Sequence, residues 1–258
     1  MARPASLNEA LTLLARHADR AKLLAGGQTL VPVLNFRLAT PGLLIDLNTV
    51  RELAGIRLDG EVLRIGAMTR QAELLRNPLI AQHAPLLFKA APHIGHVQTR
   101  SRGTLGGSLA HADPAAELPL VMVALDATFT LRREKAERSI PARKFFLDAM
   151  TTALRSDELL TEIAVPVAPA GTRTSFRELS RRHGDFALVA VAVQRLDDHL
   201  TVAVGGLEAV PRYWCEQQGI LQDLKEAVAL SDVHASADYR RHLASVLVQD
   251  GIDEVMAA

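Results

Sequence analysis

Apolar residues recur along this chain with two periods, and the switches between them divide it into units. Ser6 and Glu9 form a capping box around the start of a run in which Leu7, Leu11 and Leu14 recur at helical spacing, which predicts an amphipathic helix to about residue 17. A short apolar run at 22–24 reads as a strand that stops at Gly26-Gly27. Leu30, Val31 and Leu34 then predict a helix, in which Pro32 is tolerated because first-turn amides have no intrahelical partner. A second buried strand at 43–47 (LLIDL) completes a β-α-β unit, with the glycine pair at its strand-to-helix turn.

Beyond Val50 the pattern becomes antiparallel. Runs at 56–58 and 62–65 flank Asp59-Gly60, a strong hairpin signal. Helices are expected at 69–75, 85–91 and 114–125, the last largely buried, and strands at 129–131, 139–140 and 159–165. The prolines and glycine of 166–171 interrupt both periods and mark a boundary between residues 1–168 (lobes 1–50 and 51–168) and 172–258. After it, 174–179, 187–196 and 200–204 read as a β-meander, with Asp197-Asp198-His199 as the last turn, and 220–229 and 237–248 as helices that back it.

Composition narrows the function. Twenty-nine basic residues balance 29 acidic ones without a basic block, which argues against nucleic-acid binding. The first twenty residues lack the apolar centre of a signal peptide, and no run approaches a membrane span, so the expectation is a cytoplasmic protein. Cys215 is the only cysteine; an internal disulfide and a self-contained iron–sulfur cluster are both excluded. The nine histidines show no helical zinc spacing.

Two glycine-rich stretches carry candidate chemistry. In Ala25-Gly26-Gly27-Gln28-Thr29, the glycines remove side-chain bulk and allow positive φ, so that successive amides can converge on an anion near a helix N-terminus. Alone, this stretch reads more simply as a tight turn. The second, 95–108 (GHVQTRSRGTLGGS), reads as a loop in which a turn carrying Arg100 and Arg102 leads into another glycine pair flanked by Thr104 and Ser108, and it precedes His111-Ala112-Asp113-Pro114. Its glycines and hydroxyls together favour a phosphate site over a solvated basic turn. Two such loops about eighty residues apart imply a dinucleotide at the seam between subdomains.

The segments AGGQTLVPVLNFRLATPGLLIDLNTV, IGHVQTRSRGTLGGSLAHADPAAELP and SRRHGDFALVAVAV, with the closing DVHASADYRRHLASVLV, resemble the medium, FAD-binding subunit of the molybdenum hydroxylases, the xanthine and carbon monoxide dehydrogenase family. The resemblance implies an α+β fold: a two-lobed FAD-binding domain of the vanillyl-alcohol-oxidase (PCMH) type and a small C-terminal α+β domain, an antiparallel sheet with helices. It implies that Ala25, Gly26, Gly27, Gln28, Thr29 and Leu30 line the FAD pyrophosphate opposite Thr104, Gly106, Gly107 and Ser108. It also implies that Asp113 and Glu117 approach the ribityl and adenosine portions. Asp113 reads equally as the N-cap of a helix beginning at Pro114. Relatives place a lysine near the flavin where this chain has Arg177-Glu178, which makes Arg177 the candidate cation and Glu178 a departure. A second departure is the shorter stretch between Glu208 and Asp232. No acid–base residue is expected. The implied role is electron transfer through FAD, with the molybdenum cofactor on a large molybdopterin-binding partner and [2Fe-2S] clusters on a small iron–sulfur partner, assembled as a dimer of heterotrimers. A self-contained flavin reductase or oxidase and a non-catalytic nucleotide-binding module are the alternatives.

Overall fold

The computed structural model describes residues 1–257. The opening helix, Leu7–His17, is capped by Ser6, whose side chain accepts from the Glu9 amide, and it buries Leu7, Ala10, Leu11 and Leu14. Strands Ala21–Leu24 and Leu43–Asp46 pair in parallel around the helix Leu30–Asn35, giving the expected β-α-β lobe. A five-stranded antiparallel sheet follows, with Leu159–Pro166 at its centre between Val62–Gly66 and Thr128–Arg133. Ile56–Asp59 and Ala136–Pro141 form its edges. Phe129, Phe145 and Phe146 meet edge to face in the core beneath it.

The third sheet is a four-stranded antiparallel meander of Arg173–Ser180, Ala187–Leu196, His199–Gly205 and Arg212–Trp214. Its second strand is the clearest example of sequence dictating packing. Successive residues of a strand point to opposite faces; here Val189, Val191 and Val193 alternate with Ala190 and Ala192, and in register across the next strand stand Val202, Val204 and Ala203. The valine face packs on Ala244, Val248, Ile252 and Val255 of the long helix Ala237–Ala257. The alanine face belongs to the same core as the helix Glu117–Ala124, every residue of which is buried. Gly205 continues that face, and a Cβ there would meet the Leu120 side chain at 3.3 Å. Residues 167–172 have no regular structure, but they are tied down: Val167 donates to the Glu61 carbonyl and Ala168 to that of His83.

Several elements differ from the sequence expectation. The stretch 95–108, read as a loop, is two short helices, Val97–Arg102 and Leu105–His111, because Thr104 caps the second by accepting from the Gly107 amide. The buried helix begins at Glu117 rather than Pro114: Asp113 Oδ1 accepts from the Ala115 amide, which makes a turn of Pro114–Ala116 and leaves Asp113 outside the helix. The shortened region supplies an edge strand, Arg212–Trp214, and Trp214 Nε1 donates to Asp223 on the helix Ile220–Glu226. The last helix continues beyond 248 to Ala257.

Gly251 lies where the long helix crosses the valine face, and a Cβ there would stand 2.9 Å from Val193 Cγ2. Gly251→Leu is expected to lower stability by about 1–3 kcal/mol through overpacking, read as a shifted urea midpoint; an unshifted midpoint would show that helix and sheet do not meet there.

Candidate functional site

The two glycine stretches converge on one cavity of about 740 Å³, within the usual size of a small-molecule or cofactor pocket. Ala25, Gly26, Gly27, Gln28, Thr29 and Leu30 line one side; Thr104, Gly106, Gly107, Ser108, Asp113 and Glu117 line the other. Leu159, Leu160 and the loop Gly184–Phe186 contribute further walls.

The two glycine pairs perform different work. In the first, the amides of Gly26, Gly27, Gln28 and Thr29 make no hydrogen bond among the described residues, although the carbonyls of Ala25, Gly26, Gly27 and Thr29 all accept one. A row of free donors around a positive-φ glycine (Gly27, φ 74°) is an anion nest. In the second, Leu105 donates to Thr69, Gly106 to Ala67 and Gly107 to Thr104 Oγ1, so these amides are already satisfied. Gly106 is there for fit: a Cβ would lie 2.5 Å from the Ala67 Cβ. Gly107 does not have positive φ; a Cβ would press on Thr104 Oγ1 at 2.7 Å and disturb the helix cap. Free backbone amides are therefore concentrated in the first stretch, while those of Leu105, Gly106 and Gly107 are already paired.

Gly26 also joins the stretches. A Cβ on it would stand 2.5 Å from the Arg102 carbonyl and 2.7 Å from the Gly103 Cα, so bare backbone lies against bare backbone. Two residues absent from the sequence expectations latch this contact: Asn48 donates to the Ala25 carbonyl and accepts from Arg70, which also donates to the Arg102 carbonyl. Gln71, a third, is buried on the cavity wall with Oε1 unpartnered. Asn48 lies in the conspicuous LLIDLNTV run; neither Arg70 nor Gln71 carries a local signal, since each acts through a segment some thirty residues away. Arg100 is not a solvated basic residue: it is buried and donates to the carbonyls of Ile94 and Gly95.

Arg177 is the expected site residue that lies elsewhere. Strand alternation turns Ser175 and Arg177 toward the long helix, where both bind Glu254, Arg177 at 3.1 Å. The opposite face carries Phe176 and Glu178, toward His93. The Glu178 side chain is only 4% exposed, and burial, followed by the charge of Glu117, pushes its carboxyl up to about 8. Burial likewise pushes the Glu117 carboxyl up to about 7, Asp113 adding to the effect and Arg100 opposing it.

The free amides and the glycine-lined walls suit a phosphate-bearing ligand. The buried carboxyls fix the expected pH response of the empty protein. Their folded values lie above the value of about 4.5 for the unfolded chain, so their stabilising contribution is complete below that pH and is lost as pH rises through about 7 and about 8. Melting temperature should fall between pH 5 and pH 9 by amounts equivalent to up to about 1.4 kcal/mol per pH unit per carboxyl, and Glu178→Gln should flatten the alkaline part of the curve. A wild-type melting temperature constant over that range would mean that the carboxyls ionise freely.

Among known proteins, the family model described as "FAD binding domain in molybdopterin dehydrogenase" matches residues 1–168. The chain is 41% identical to the 6-hydroxypseudooxynicotine dehydrogenase complex subunit alpha of Paenarthrobacter nicotinovorans, over 95% of this chain and 90% of that one. It is 33% identical to the carbon monoxide dehydrogenase medium chain of Hydrogenophaga pseudoflava, over 98% of this chain and 96% of that one. The solved carbon monoxide dehydrogenase of that organism matches with a TM-score of 0.93 at 33% identity, covering 99% of this chain and 96% of that chain. Quinoline 2-oxidoreductase from Pseudomonas putida matches with a TM-score of 0.91, also at 33% identity and over the same shares. A cavity floored by a nest of free amides, in a chain that follows these proteins almost end to end, belongs to a member of the FAD-binding medium-subunit family of the molybdenum hydroxylases.

Proposed function

We propose that this chain is the flavoprotein of a multi-subunit molybdenum hydroxylase, carrying FAD in the cavity and passing electrons from iron–sulfur clusters on a small partner to an acceptor, while a molybdenum cofactor on a large partner acts on the organic substrate. The observation that supports this most strongly is the row of unpaired amides at Gly26–Thr29, because a pyrophosphate supplies the acceptors they lack. Likeness to chains named as subunits of dehydrogenase complexes supports the division of labour. Among the described residues no group of histidine, cysteine or acidic side chains could hold a metal ion, and no helix is long and apolar enough to cross a membrane.

In this reading Ala25 to Leu30 take the pyrophosphate, while Thr104, Gly106, Gly107 and Ser108 supply a close wall opposite. Asp113 and Glu117 lie further along the cavity, and Arg177, held by Glu254, takes no part. Residues 1–168 form the FAD-binding unit and 172–258 close the cavity with the loop Gly184–Phe186. Bound FAD supplies a redox centre whose position and potential the protein sets. The chain's own task is to bind, orient and shield it. A cytoplasmic complex built as a dimer of heterotrimers completes the proposal.

Gly27→Val should abolish flavin retention, since a branched side chain at φ 74° is strained and its Cβ would crowd Val31 at 3.0 Å. Flavin absorbance of the purified protein reads the result, and a variant with wild-type flavin content would remove the nest from the site. Expressed with its neighbouring genes, the chain should co-purify with molybdopterin-binding and iron–sulfur subunits. If the chain alone, supplied with a dye acceptor, oxidised an organic substrate, the subunit reading would fall.

A further inference from the structure

Gln71 is a buried polar side chain that the protein itself leaves unsatisfied. It opens the short helix Gln71–Leu74, is 5% exposed and lines the cavity. Its backbone amide donates to the Gly103 carbonyl and that of Leu105 donates to Thr69, so residues 69–71 run alongside the start of the Thr104–Ser108 stretch. The carboxamide rests on Gly103: a Cβ there would collide with Oε1 and stand 2.8 Å from Cδ. At φ −55° Gly103 has a conformation open to any residue, so what its missing side chain provides is room for this carboxamide. Gly103 is also the residue on whose Cα Gly26 closes, which places the carboxamide beside the seam between the two glycine stretches.

Oε1 is nonetheless buried without a hydrogen-bond partner. The donors around it are committed elsewhere: Arg70 to the Arg102 carbonyl and Asn48, the Leu105 amide to Thr69 and the Gly106 amide to Ala67. An unmatched buried acceptor costs a folded chain stability that an apolar side chain of the same shape would not. The chemistry of the missing partner follows from that of the orphan. A carbonyl oxygen only accepts, and the ionised pyrophosphate of a dinucleotide also only accepts, so the phosphates cannot satisfy it. An alcohol hydroxyl can, and FAD carries such hydroxyls on both sides of its pyrophosphate, on the ribityl chain and on the adenosine ribose.

We propose that Gln71 is a hydroxyl-binding residue of the cofactor site, whose Oε1 accepts from a sugar or polyol hydroxyl next to the pyrophosphate and so fixes how far the dinucleotide is threaded along the cavity. The inference rests on the FAD reading above. The nest at Gly26–Thr29 grips negative charge, which is alike on both phosphates and does not by itself set the ligand's position. An acceptor at the seam reads an uncharged group beside that charge and removes the ambiguity.

Gln71→Met is the test, because methionine keeps the length and flexibility of the side chain and removes the acceptor. In the full chain stripped of flavin, quenching of flavin fluorescence should show the Kd for FAD raised about tenfold, the scale of one buried hydrogen bond. The urea midpoint of the flavin-free variant should equal or exceed that of the wild type, since the orphan is gone. A midpoint that falls together with the affinity would make Gln71 structural and overturn the proposal. Inorganic pyrophosphate, which carries no alcohol hydroxyl, should displace FAD analogues from wild type and variant with the same affinity; a variant that loses pyrophosphate as well has a damaged nest, and the proposal falls. ADP and FMN separate the two sources of hydroxyl. A loss of affinity confined to FMN assigns the ribityl chain and one confined to ADP assigns the ribose, whereas a loss in both or in neither would overturn the assignment. An unchanged Kd for FAD would overturn it while leaving the FAD reading intact. Failure of the wild type to bind FAD would instead overturn the reading on which it rests.

Discussion

The helix Glu117–Ala124 is buried along its whole length because the four-stranded sheet covers it on one side and the helices Pro85–Ala90, Leu105–His111 and Ala142–Phe145 cover it on others. A segment with no polar face has no stable place in water, so these elements cannot separate without exposing it. That constraint orders the site. The helix holds Glu117 at the cavity, and the helix Leu105–His111 beside it carries the second glycine pair. The lobe bearing the first glycine stretch is then fixed to this body by close backbone contact at Gly26 and by the Asn48–Arg70 latch.

Where a single element carries its own instructions, the sequence was legible. The β-α-β lobe, the hairpin at Asp59-Gly60 and the meander all follow from local period and turn chemistry, and the structure contains each. The cavity was legible to the extent that glycines cluster where backbone must come close: every expected site residue but Arg177 lines it. The reason for each glycine was not legible. Gly27 opens a nest of free amides, whereas Gly106 is small because Ala67 lies against it, a residue almost forty positions earlier. The same limit explains Arg177. The resemblance to relatives with a lysine near the flavin made it the candidate cation, but the side of the strand on which it emerges is decided by the register with Ala187–Leu196 and by Glu254 at the far end of the chain.

Helix boundaries erred where side chains offered the backbone a competing partner. Asp113 takes the Ala115 amide and delays the buried helix to Glu117, while Thr104 takes the Gly107 amide and starts a helix where a loop was expected. Both substitutions of partner occur beside the cavity. Asp113, ahead of that turn, and Glu117, at the start of the helix, both line the pocket.

The alternation of valine and alanine along Ala187–Leu196 also has a mechanical meaning. The valine face fixes how far the long helix stands off, and the alanine face lets the helix Glu117–Ala124 settle close. The sheet thus works as a spacer with larger side chains on one face than on the other, and the alanine face is the one turned to the helix that carries Glu117 at the cavity. Drift of a single alanine toward valine would be invisible to any inspection of the cavity lining, yet it would lift the wall that carries Glu117. The tolerance of this site to evolutionary change is therefore written as much in the methyl groups behind it as in the residues that face the ligand.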